Sequence, residues 1–81
     1  MNSKNIMLEH YFIGYADLNG TGEVLVEHYF ANSPFDCMKQ CLQTHGIYIH
    51  PTVDTAQRLR KIAEHNNKLL SIPRKVKVTI I

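Results

Sequence analysis

The chain has 81 residues, 44% of them hydrophobic and 20% charged, with a formal net charge of +2. That balance excludes a disordered chain, and the lack of any run of about 18 apolar residues excludes a membrane-spanning helix. One domain over 1–81 is expected. Its core must be small, because a chain this short buries only about 60–65% of its unfolded surface. Met1 to Asn5 is polar and lacks the apolar stretch of a signal peptide, so a cytoplasmic setting is expected. Two cysteines, Cys37 and Cys41, are too few for a disulfide scaffold.

After the polar start, Asn19-Gly20 between two β-rich runs predicts a hairpin from Glu9 to Phe30 with those two residues at its tip. That tip pairs Tyr15 with Val24, Ile13 with Val26, Tyr11 with His28 and Glu9 with Phe30. Paired residues share a face. One face then collects Tyr11, Ile13, Tyr15, Val24, Val26, His28 and Phe30, and is mostly apolar. The other collects His10, Phe12, Leu25, Glu27 and Tyr29 and is mixed. Ser33-Pro34 starts a helix, Ser as N-cap and Pro at the first helical position. The helix runs to about His45 and stops at Gly46. Phe35, Met38, Cys41, Leu42 and His45 share one third of its circumference and dock on the apolar face of the hairpin.

Ile47 to His50 reads as a short strand or an extended connector, with the strand preferred, and Pro51 ends it. A second helix begins near Thr52 or Asp54 and runs to about Asn67, with Ala56, Leu59, Ile62, Ala63 and Asn66 as its buried stripe. Leu69 to Pro73 crosses back. Arg74 to Ile81 alternates as a last strand. The expected fold is a small two-layer α+β sandwich. It has an N-terminal hairpin plus a C-terminal strand, a short fourth strand at Ile47–His50, and two helices packed on one face.

Few constellations suggest chemistry. Cys37, Cys41 and His45 recur at intervals of four, but Cys37 and His45 stand about 12 Å apart along a helix axis. They cannot share one tetrahedral ion, so the cysteines read as core and no bound metal is expected. Asp17-Leu-Asn-Gly-Thr-Gly-Glu-Val resembles the first eight positions of a calcium-binding EF-hand loop. The twelfth position is His28 where that loop supplies a bidentate Glu, and the flanks are β-rich. The same Asp, Asn and Gly residues suit a hairpin tip. No phosphate loop, triad signature or carboxylate pair appears, so neither an enzyme nor a cofactor is expected.

What remains is surface. Residues 1–50 carry Lys4 and Lys39 against Glu9, Asp17, Glu23, Glu27 and Asp36, a net −3; residues 51–81 carry seven Lys and Arg against Asp54 and Glu64, a net +5. Arg58, Lys61, His65 and Lys68 form one stripe on the second helix, with Arg60 on its flank. Phe12 and Tyr29 stand out on the second face of the hairpin, a composition enriched at protein interfaces. The reading is a small non-enzymatic protein-binding module. Its partner would be a larger protein or complex with an acidic surface. Phage and mobile-element proteins that inhibit host systems, anti-CRISPRs among them, are comparable in size and class only. The alternative is a nucleic-acid-binding protein using the basic second half, although that half lacks interleaved aromatics.

Overall fold

A computed structural model of the chain describes residues 8–76. Their elements are β1 (Glu9–Asp17), β2 (Val24–Ala31), α1 (Pro34–Thr44), α2 (Ala56–His65), β3 (Lys68–Leu70) and β4 (Arg74–Lys75). β1 is the central strand. β2 pairs with it antiparallel along one side, and β3 and β4 pair antiparallel along the other. Both helices pack on one face, so the domain is the two-layer α+β arrangement expected. Only the first two residues of the expected last strand belong to β4; 77–81 lie outside the described residues.

The hairpin register differs from the expected one by a single residue. Tyr15 faces Leu25, Ile13 faces Glu27, Tyr11 faces Tyr29 and Glu9 faces Ala31. β1 therefore sends Tyr11, Ile13 and Tyr15 inward as expected, but β2 sends Glu27, Tyr29 and Ala31 inward with them, while Leu25, on the same face beside the loop, stays 51% exposed. Val24, Val26 and Phe30 turn out to solvent, 63%, 60% and 62% exposed, while Ile13 is wholly buried. The cause is the loop. Asn19 and Gly20 do not form a two-residue tip; six residues, 18–23, separate the strands. The Asp17 carboxylate accepts from the Asn19 N–H at 3.0 Å, and the Thr21 hydroxyl accepts from the Glu23 N–H at 3.2 Å. These side chains replace the ladder bonds that a tight turn would make. The left-handed residue is Gly22, at φ +75°, not Gly20.

A comparison of two glycines checks this loop. Gly22→Ala is expected to cost about 1–2 kcal/mol, because an L side chain resists that φ. Gly20→Ala should be near neutral: its Cβ would meet the Asp17 carbonyl at an ordinary 3.6 Å. The reverse order in urea midpoints would restore the Asn19-Gly20 tip.

Both helices follow their capping signals. The Ser33 hydroxyl accepts from the Asp36 N–H at 3.0 Å, with Pro34 at the first helical position. At the other end Gly46 takes φ +81°. Its N–H donates to the Gln43 carbonyl and that of Ile47 donates to the Leu42 carbonyl, each at 3.0 Å. Two such bonds across a left-handed glycine close a helix end in a Schellman motif. They also draw Ile47 into the core, where Ile49 joins it, so 47–50 is a connector with Ile47 and Ile49 inward, Tyr48 and His50 exposed, and no strand pairing. α2 starts later than expected, at Thr55 as N-cap, and stops at His65, where Asn67 at φ +58° turns the chain back. Its buried residues are Leu59 and Ala63. The core joins Tyr11, Ile13 and Tyr15 to Met38, Cys41, Leu42, Ile47, Ile49 and Leu59.

β3 and β4 are one extended run broken at 71–73. There Ser71 substitutes for regular pairing. Its N–H donates to the Gly14 carbonyl at 2.9 Å and its Oγ accepts from the Gly14 N–H at 2.7 Å. Gly14 is thus fully satisfied across a break that Pro73 imposes. No helix among the described residues is long and apolar enough to cross a membrane.

Candidate functional site

Three groups of side chains stand out, and the sheet separates the first from the other two. The first is the outer face of the hairpin. Val24, Val26, His28 and Phe30 from β2 lie beside His10, Phe12 and Gly14 from β1. Exposed Ile72 and Arg74 border them, and together with Phe12, Gly14, Val24, Val26 and Ser71 they line an open groove of about 420 Å³. The rings are ordered on one another. His10 stacks on Phe30 at 4.8 Å between centroids, and its Nε2 lies 3.1 Å from Nδ1 of His28. Phe12 is at this face, as expected. Tyr29 is not: the register turns it inward, where it is half-buried and its hydroxyl donates to Glu27.

The second group is the basic stripe of α2, on the far side of the helix layer. Arg58, Lys61 and His65 are exposed and Arg60 is half-buried. Among the described residues none of these four takes an ion pair. Lys68 leaves the stripe. It belongs to β3, and its ammonium meets the Asp17 carboxylate at 3.0 Å. That contact, with the Asn19 N–H, holds the Asp17 carboxyl below its ordinary range. Phe12 and the α2 residues therefore occupy opposite layers and form no single site.

The third group is internal and was not anticipated. Glu27 lies between β2 and α1, its carboxylate 2.7 Å from Nε2 of His45 and 2.6 Å from the donating hydroxyl of Tyr29. The Cys41 thiol donates to the same carboxylate at 3.6 Å. Tyr15 lies flat on the His45 ring, 3.7 Å between centroids and 7° between planes. Burial alone would raise the Glu27 pKa, but the bonds from Tyr29 and His45 outweigh it and hold the carboxyl below its usual value. Burial and the Glu27 charge push the Tyr29 hydroxyl well up. Burial first, then Glu27, pushes the Cys41 thiol up to about 12, and burial with Asp36 pushes Cys37 up to about 11. Neither cysteine is a thiolate nucleophile at neutral pH.

The donor atoms of Glu27, Cys41 and His45 lie within 4.8 Å of one another, a group that could hold a metal ion. Cys37, buried elsewhere on α1, is not part of it. Sequence spacing pointed to Cys37, Cys41 and His45; the residue it missed is Glu27, placed on the wrong face by the slipped register. The available signal was that Glu27 is the one acidic residue in Val24–Ala31. An acidic side chain among apolar neighbours has a partner when it turns inward.

No protein-family model, curated protein or solved structure matches the chain.

Proposed function

We propose that the chain acts by binding another protein through the outer face of its hairpin, and not by catalysis. One observation carries the reading. Val24, Val26, Phe30 and Ile72 form a contiguous exposed apolar surface around Phe12, on a sheet whose other face already holds both helices. Exposed apolar area of this kind, ordered and ringed by polar groups, is what interfaces use. β2 adds a second reason. Among the described residues it lies at the edge of the sheet and contains no Lys, Arg or Pro, and its one carboxylate, Glu27, is held by His45 and Tyr29, so no outward carboxylate, ammonium or missing N–H blocks another strand from pairing there. Arg74 at the rim favours a partner with an acidic group beside an apolar patch. Occlusion is the activity such a module has available: the partner surface it covers is closed to other ligands.

The test is capture from a lysate, nuclease-treated and untreated, with three forms of the protein. Val26→Glu with Phe30→Glu alters the outer face; Arg58→Glu with Lys61→Glu alters α2. Both pairs are exposed or border solvent, so melting temperatures should stay within a few degrees. The outer-face pair is expected to weaken a captured protein at least about tenfold. The α2 pair is expected to change it only a few-fold. Equal capture by wild type and outer-face variant overturns the reading. Loss confined to the α2 variant, or removed by nuclease, transfers the function to the basic stripe or to nucleic acid.

A further inference from the structure

We infer that Glu27, Cys41 and His45 form a zinc site that ties β2 to α1. The donor set is one carboxylate oxygen, one sulfur and one imidazole nitrogen. Zinc accepts that mixture, whereas calcium and magnesium take oxygen alone. Cys41 and His45 stand one helical turn apart on α1, a spacing that lets two side chains reach one ion. Glu27 supplies the third donor across the layer.

Two of the three donor pairs are near the required spacing, and all three donors lie within 4.8 Å of one another. Zinc bonds of about 2.0–2.3 Å in a tetrahedron place neighbouring donors about 3.3–3.8 Å apart. Cys41 Sγ already lies 3.6 Å from Glu27 Oε1. His45 Nε2 lies 2.7 Å and 2.9 Å from the two Glu27 oxygens, where a hydrogen bond draws them together. Exchanging that proton for an ion requires about half an ångström of opening between two side chains that are 25% and 21% exposed. The same exposure leaves a fourth position for water.

The surroundings are those of ligands held in place. The Tyr29 hydroxyl donates to Glu27, and Tyr15 stacked on His45 fixes the plane of the imidazole with Nε2 toward the carboxylate. Outer contacts of this kind orient metal ligands and are worth about 10–100-fold in affinity. Coordination displaces the thiol proton of Cys41 to solvent, and the proton between His45 Nε2 and Glu27 leaves to solvent or to His45 Nδ1.

The test uses full-length protein, reduced, stripped with chelator and exchanged into chelator-free buffer. Native mass spectrometry with one equivalent of Zn(II) should show one retained ion. Co(II) in its place should give a thiolate-to-cobalt charge-transfer band that Cys41→Ser removes and Cys37→Ser keeps. Tyr29→Phe, which deletes one hydroxyl and no ligand, should weaken Zn(II) by about 10–100-fold. Retention of no zinc by the wild type overturns the inference, even if Cys41→Ser fails to fold. So does a charge-transfer band that survives Cys41→Ser.

Discussion

Ile13→Ala is expected to cost about 2–5 kcal/mol, while Val26→Thr costs less than about 0.5 kcal/mol. Ile13 is wholly buried at the centre of the core, between β2 and both helices; Val26 is 60% exposed on the opposite face of the sheet. A domain of this size holds about 4–12 kcal/mol in total, so the first change removes a large share of it. It should lower the melting temperature by about 10 °C or more, since each kcal/mol shifts a small domain by about 4–8 °C. Circular dichroism during heating reads both variants. In the register one residue away the two side chains would be partners on one buried face, and both changes would be costly. Comparable losses at the two positions would therefore restore that register.

The second large effect is expected at Glu27. Glu27→Ala, measured in chelator, should cost about 1–3 kcal/mol, because it leaves the Tyr29 hydroxyl and the His45 ring half-buried without their acceptor. Glu23→Ala, exposed in the loop beside the same strand, is the control and should be within about 0.5 kcal/mol of wild type. Urea midpoints decide it. Equal, small effects would mean that the carboxylate is solvated and that the cluster around it does not hold β2 to α1.

These two predictions trace where the fold was legible in the amino-acid sequence. Ser33-Pro34 and Gly46 bound α1 because each does a job few residues can do: an oxygen for an orphan N–H, a ring that needs no N–H, a backbone free to turn left-handed. Met38, Cys41 and Leu42 recur at helical spacing and are buried together, as are Leu59 and Ala63 in α2. β1 was equally clear, since Tyr11, Ile13 and Tyr15 recur at every second position and are buried together. β2 was not. Its run Val-Leu-Val-Glu-His-Tyr-Phe-Ala has apolar residues at both parities, so alternation alone supports either face. The Asn19-Gly20 pair favoured one answer. The side chains of Asp17 and Thr21, and the bonds that Tyr29 and His45 offer Glu27, give the other. The bond from His45 joins α1 to β2, and no local pattern announces it. The strand placed at Ile47–His50 failed for a related reason: Ile47 and Ile49 are buried by the Schellman turn and the helices, with no neighbour in the sheet.

The bond pair between Gly14 and Ser71 has a kinetic consequence. The hairpin and α1 close over short separations, within one continuous stretch. The far side of β1 stays open until residues 57 positions further along arrive. Closing so long a loop is slow, although its entropic cost grows only with the logarithm of length. Among the described residues this seam has three paired residues in β3 and two in β4, with Ser71 bridging the break. Contacts so far apart in sequence form late, so the seam is expected to be the last part of the sheet to zip. During synthesis, β1 waits with one side bare until Ser71 leaves the ribosome.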